Sequence, residues 1–177
     1  MPIWISIQWK SRVSLCQPRS SVKGIANLAL YYLDTSALVK LYVREQGSER
    51  LLRLASRAQG NQFAVLALAQ VEIRSALRRR ARAGEIAGTV ADQLLEKFQR
   101  HLEGVFLRQV LTETILDVAC ELVDRQGLFA LDAIQLAGYF ALKAASGIHI
   151  PVFVSADRDL LRAAEAEALP IFDPCSG

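Results

Sequence analysis

Residues 28–36 read LALYYLDTS, six apolar side chains in a row that stop at a carboxylate, Asp34. A run of this length with no alternation of inside and outside predicts a strand covered on both faces, as in a parallel sheet. It is far shorter than the roughly 20 apolar residues that a membrane span requires. Working outward, similar short runs recur at QFAVLA (62–67), VFLRQV (105–110), PVFVS (151–155) and PIF (170–172). Helical patterns separate them. DTSALVKLYVREQ (34–46) has a Thr/Ser pair at its mouth suited to capping. SERLLRLASRAQG (48–60) is amphipathic and closes on Gly60. AQVEIRSALRRRARAG (69–84) carries apolar Val71, Ile73, Ala76 and Leu77, and residues 85–103 predict another helix. TETILDVACELVDRQG (112–127) opens on Thr112 and ends on Gly127, a start-and-stop pair typical of a helix. FALDAIQLAGYFALKAASG (129–147) is apolar nearly all round, and ADRDLLRAAEAEA (156–168) precedes the last strand. Apolar strands each followed by a helix predict an α/β domain with a mainly parallel sheet.

The whole chain has 177 residues, 52% of them hydrophobic, enough for one domain with a sizeable core. Residues 1–27 differ from the rest. They hold both tryptophans, the single methionine, four basic side chains (Lys10, Arg12, Arg19, Lys23) and no acid. They are expected to form a loosely held N-terminal extension, with the domain spanning 28–177. The net charge of +3 is therefore carried by the arm, and the body is near neutral. Any affinity for nucleic acid has to come from local patches. Cys16, Cys120 and Cys175 are far apart and odd in number, which excludes a disulfide framework and zinc spacing and fits a reducing cytoplasm. No segment reads as a signal peptide or membrane anchor.

Four acids stand where such sheets build sites, at the carboxyl ends of strands. Asp34 directly follows the first strand, and Asp157 follows the fourth. Glu72 lies in the first turns of the helix after FAVLA, and Asp132 in the first turn of the helix 129–147. Singly, each has an innocent explanation as a partner for a helix N-terminus. Asp132 is harder to explain that way, because an acid on an apolar helix is costly unless paired or metal-bound. Jointly, the four would converge on one edge of a parallel sheet and repel. A divalent cation is the natural remedy, and oxygen-only donors select Mg²⁺ or Mn²⁺.

YYLDTSALVKLYVRE, AQVEIRSALRRRARAG, LFALDAIQLAGYFAL and VFVSADRDLLRAAEAEALPIFDP resemble the four acidic blocks of PIN-domain ribonucleases, and most of all the VapC toxins of toxin–antitoxin pairs. The resemblance runs from about Leu30 to Pro174, and roughly 84–125 carry little of it. It implies a three-layer α/β/α sandwich with a mainly parallel central sheet, Mg²⁺-dependent hydrolysis of RNA, with Mn²⁺ as a possible substitute, a cognate antitoxin, a homodimer and a cytoplasmic protein. Position by position, it assigns catalysis and metal binding to Asp34, Glu72, Asp132 and Asp157. Ser36 and Ser155 match polar residues that accompany the first and last acids. Gln135 departs from the pattern, standing where many relatives have His, as do Phe129 and Ala130, where a basic residue is frequent; weaker contacts to RNA are the expectation.

Arg78, Arg79, Arg80 and Arg82 crowd the end of the Glu72 helix. They suit the helix dipole, and Arg78 and Arg79 are also candidates for contact with RNA phosphates or an acidic antitoxin segment. An aspartyl phosphatase needs a second Asp where Ser36 stands, and histidine-based cleavage has only His101 and His149, which read as ordinary surface residues. No glycine-rich phosphate cradle is present. The alternative of another class is a PIN-like module that binds RNA or protein without cutting. The small-residue-rich helices SERLLRLASRA and AGTVADQLLEKF suggest apolar surface in excess of what one sheet covers, and hence a dimer.

Overall fold

The computed structural model describes residues 29–56, 60–147 and 150–176. The N-terminal extension read at 1–27 and His149 lie outside them. Five strands, β1 (Leu30–Leu33), β2 (Gln62–Leu66), β3 (Leu107–Gln109), β4 (Val152–Val154) and β5 (Ile171–Phe172), form one sheet in the order β3-β2-β1-β4-β5. Every pair is parallel, with Tyr32 opposite Ala64 on one side and Phe153 on the other. The chain lays β1, β2 and β3 side by side, then crosses back to put β4 against the free edge of β1. The order therefore reverses between β1 and β4, and that is where a crevice opens at the carboxyl ends of a parallel sheet.

Among the described residues, seven helices cover the sheet: α1 (Thr35–Leu38), α2 (Ser48–Leu54), α3 (Ala69–Arg82), α4 (Gly88–Gly104), α5 (Glu113–Gln126), α6 (Ala130–Ala145) and α7 (Arg158–Ala166). A 3₁₀ turn (Val39–Leu41) continues α1. The strands alternate between two cores, as their period of two requires. Leu33, Phe63, Val65 and Val154 face α1–α4, with Leu51, Ile73, Leu77, Leu94 and Phe98. Tyr32, Ala64, Leu66 and Phe153 face α5–α7, with Ile115, Leu122, Leu136, Tyr139 and Leu160. The parallel α/β sheet is what the sequence pattern predicts, and the three-layer sandwich is what the resemblance implies.

Several local expectations are corrected. The first helix is capped by Asp34, whose side chain accepts from Ser36 N, and not by the Thr/Ser pair. Helix α2 ends at Ala55, well before Gly60. Val71 is exposed, so only Ile73, Ala76 and Leu77 of that pattern turn inward. The two helices offered as excess apolar surface spend their apolar faces inside. Leu51 and Ala55 of one, and Ala91, Leu94, Leu95 and Phe98 of the other, are buried in the core of this single chain. They are no evidence for a dimer. Thr112 and Gly127 behave as predicted: Thr112 Oγ1 accepts from Ile115 N, and Gly127 closes α5 at φ 66°.

Candidate active site at the acidic sheet edge

The end of β1 is tied to the end of β4 through hydroxyls. Asp34, 5% exposed, accepts at Oδ2 from Ser36 N (3.0 Å), Ser36 Oγ (2.5 Å) and Ser155 Oγ (3.1 Å). Ser36 Oγ accepts in turn from Ala156 N at 2.9 Å, and Ser155 Oγ from Asp157 N at 3.0 Å. Ser36 and Ser155 are thus both gathered around Asp34.

Asp157 caps α7, taking the amides of Asp159 (2.9 Å) and Leu160 (3.0 Å) on Oδ1. Glu72, one turn into α3, accepts at Oε2 from Thr35 Oγ1 and Gln135 Nε2, each at 2.6 Å. Asp132 lies in the first turn of α6 and is half-buried. It accepts no hydrogen bond from the described residues. Capping thus accounts for one oxygen of Asp34 and one of Asp157. It does not account for Glu72 or Asp132.

Electrostatics shows that the acids share one field. Burial pushes the Asp34 carboxyl up to about 6, against the pull of the Ser36 and Ser155 bonds, and the Glu72 charge adds to the rise. Asp132 is also held above the usual carboxylate range, first by burial and then by Asp157, Glu72 and Asp159. Burial, with Asp34 and Glu72 close by, keeps the Tyr32 hydroxyl protonated far into the alkaline range. Among the described residues, no three of His, Cys, Asp and Glu stand close enough together to hold a metal ion as they are. The donor set nevertheless fits a hard cation. Asp34, Glu72 and Asp157 are each anchored through a single oxygen, and Oδ1, Oε1 and Oδ2 respectively carry no bond from the described residues. Rigidly held carboxylates with one oxygen to spare, repelling one another, are what Mg²⁺ or Mn²⁺ coordination draws on.

A cavity of 390 Å³ adjoins Asp132, bordered by Phe129, Asp159 and Arg162. Phe129, 82% exposed, is the most solvent-facing large apolar side chain among the described residues. Asp159 is paired with Arg162. The arginine cluster is not brought to the acids. Helix α3 runs away from the edge, so Arg79 lies about 10 Å along its axis from Glu72. Arg78 bonds Asp92 of α4 at 2.7 Å, and Arg80 reaches Glu45 beside Lys40.

Three participants were missed in the sequence. Thr35 and Gln135 hold Glu72, and Tyr32 Oη donates to Gln135 Oε1 at 3.1 Å. Gln135 is wholly buried, so it contacts the site and not RNA. A polar residue on the otherwise apolar α6 was the available signal. His101 is also corrected: it is half-buried, its Nδ1 lies 2.8 Å from Tyr42 Oη, and burial, then Lys97 and Arg100, pull it down to about 4.

β1 and β4 end side by side at an acidic edge where the strand order reverses, and comparison with known proteins identifies the class of domain. The family model "PIN domain" matches residues 31–166, and the chain belongs to that family. Solved structures share the fold. One is a toxin–antitoxin complex from Klebsiella pneumoniae (TM-score 0.56, 15% identity, 81% of this chain and 97% of that one). Another is PAE2754 from Pyrobaculum aerophilum (0.54, 24%, 81% and 83%). A third is VapBC2 from Rickettsia felis, bound to a DNA fragment from their promoter (0.54, 14%, 81% and 98%). No curated protein matches the chain significantly.

Proposed function

We propose that this PIN domain is a metal-dependent endoribonuclease that acts as the VapC-like toxin of a toxin–antitoxin pair in the cytoplasm. The observation that carries the proposal is the half-anchored carboxylate set: three acids fixed through one oxygen each, with Asp132 beside them taking no hydrogen bond from the described residues. Asp34, Glu72, Asp132 and Asp157 would hold Mg²⁺, with Mn²⁺ as a substitute. When bound, the ion supplies positive charge against the phosphodiester and makes a water acidic enough to attack. The protein's own groups supply the rigidity. Ser36 and Ser155 fix Asp34, the α7 amides fix Asp157, and Thr35 and Gln135 fix Glu72. RNA would cross the edge beside Asp132, with Phe129 offering a ring face for a base. Attack by water, not by the ribose 2′-hydroxyl, leaves 5′-phosphate and 3′-hydroxyl ends.

Purified protein should cut single-stranded RNA with Mg²⁺ or Mn²⁺ and stop when a chelator is added. Full activity with chelator, or cyclic-phosphate ends, would sink the proposal. The partner is a cognate antitoxin, supported by the toxin–antitoxin complex that shares this fold. Co-purification of a neighbouring small gene product that inhibits cleavage tests it. A homodimer is proposed on the family resemblance alone, and a monomer by light scattering at micromolar concentration counts against it. A second reading, a binding module without catalysis, is favoured by the lack of a ready-formed metal cluster among the described residues. RNA or antitoxin binding with no cleavage under any divalent ion would select it.

A further inference from the structure

Behind Glu72 lies a chain of hydrogen-bonded side chains drawn from β1, α1 and α6. Tyr32 Oη donates to Gln135 Oε1 (3.1 Å), and Gln135 Nε2 donates both to Thr35 Oγ1 (3.1 Å) and to Glu72 Oε2 (2.6 Å). Thr35 Oγ1 then donates to the same Oε2 at 2.6 Å. Every proton in this chain is committed. The amide spends its two hydrogens on Thr35 and Glu72, the tyrosine spends its one on the amide oxygen, and the threonine spends its one on the carboxylate. All donors therefore point one way, and the chain closes only if Oε2 of Glu72 is an acceptor. Bonds so aligned polarise one another and strengthen the last one.

Position makes the chain rigid. Tyr32 and Gln135 are both wholly buried, with the Tyr32 ring set between Phe153 and Tyr139. Glu72 is on a different helix from Gln135 and on the opposite side of the sheet from the core that holds Tyr32. The chain thus links β1 and α6 to α3 at the end of the strands and pins a half-exposed carboxylate from behind.

Resting on the nuclease reading above, we infer that Gln135, backed by Tyr32, is the positioning residue of Glu72, locking Oε2 so that Oε1 alone is presented to metal and water. Groups that orient metal ligands in this way change affinity or activity about 10–100-fold when removed.

The experiment uses the full chain and reads Mn²⁺ binding by electron paramagnetic resonance without RNA, together with turnover. Gln135→Leu keeps the volume and removes the donors. It should weaken Mn²⁺ binding about 10–100-fold and lower kcat, with KM for RNA unchanged because Gln135 is buried. Tyr32→Phe removes one hydroxyl and should weaken binding about fivefold, the worth of one neutral hydrogen bond. Melting without metal is followed in parallel. If Gln135→Leu does not fold, Tyr32→Phe decides the matter. If the folded variants bind Mn²⁺ and turn over like the parent, the chain merely packs and the inference is overturned. If the parent itself neither binds Mn²⁺ nor cuts, the nuclease reading has failed and the inference falls with it.

Discussion

Gly138 sits in the middle of α6, and a Cβ there would stand 2.2 Å from Tyr32 Oη, 3.2 Å from its Cζ and 3.4 Å from Leu66 Cδ1. Ordinary contact is about 3.5 Å, so Gly138→Ala forces more than an ångström of overlap onto one oxygen. The hydroxyl has nowhere to go. Its ring is fully buried, stacked on Phe153 at 6.0 Å and edge-on to Tyr139 at 6.1 Å, and the oxygen is bonded to Gln135. Overpacking of this kind costs about 1–3 kcal/mol. Alanine's better helix propensity returns about 1 kcal/mol, leaving a net loss of up to about 2 kcal/mol. Tyr32→Phe alone loses one hydrogen bond, about 1 kcal/mol. In that background the overlapping oxygen is gone, and Gly138→Ala should be neutral or stabilising. The two changes must therefore couple by about 1–3 kcal/mol, with the double variant more stable than the sum of the singles. Urea unfolding of the four proteins in chelator measures this directly. Additivity to within about 0.5 kcal/mol would refute the claim that α6 approaches β1 this closely through a glycine notch.

The remaining predictions concern the acids and one ion cluster. The carboxyl of Asp34 rises from 3.8 to about 6 on folding, so between these values the native state holds a proton that the unfolded state has released. Its contribution to metal-free stability should fall by about 3 kcal/mol in all as pH rises from about 3 to about 7, with about 2 kcal/mol of that between pH 4 and 6, and then level off. Asp34→Asn should abolish that slope in urea melts at pH 4.5 and 7.5, gain stability at the higher pH, and lose RNA cleavage by at least about 10²-fold. A variant with the parental slope would mean that the buried acid is not its source. Glu45 would be raised by burial, but bonds from Lys40 and Arg80 outweigh this and hold it below the usual range. Because Lys40 is only 9% exposed, Glu45→Gln should destabilise the fold by about 1–3 kcal/mol, read as a lower melting temperature at neutral pH that disappears in acid.

What the sequence determined by itself is the set of strands and helices, and the placing of the four acids near strand ends. Both follow from local physics. An apolar run such as LALYYL can be satisfied only by burial on both faces, and a residue directly after it must emerge at the sheet edge. Thr112 and Gly127 marked their helix for the same reason, since caps act within a turn. The tertiary structure alone decided the strand order, which puts β4 beside β1 and so brings Ser155 to Asp34 across 121 residues. It decided that Tyr32, Gln135 and Glu72 share one hydrogen-bond chain. It decided that the apolar faces of α2 and α4 are spent inside, that His101 is tucked against Tyr42, and that Asp34, not Thr35 or Ser36, caps α1. Periodicity reports which side of an element is apolar and how far it extends. It carries no information about which distant element meets that side, because the register of strands more than a hundred residues apart is set by packing of the whole sheet between its two helical layers.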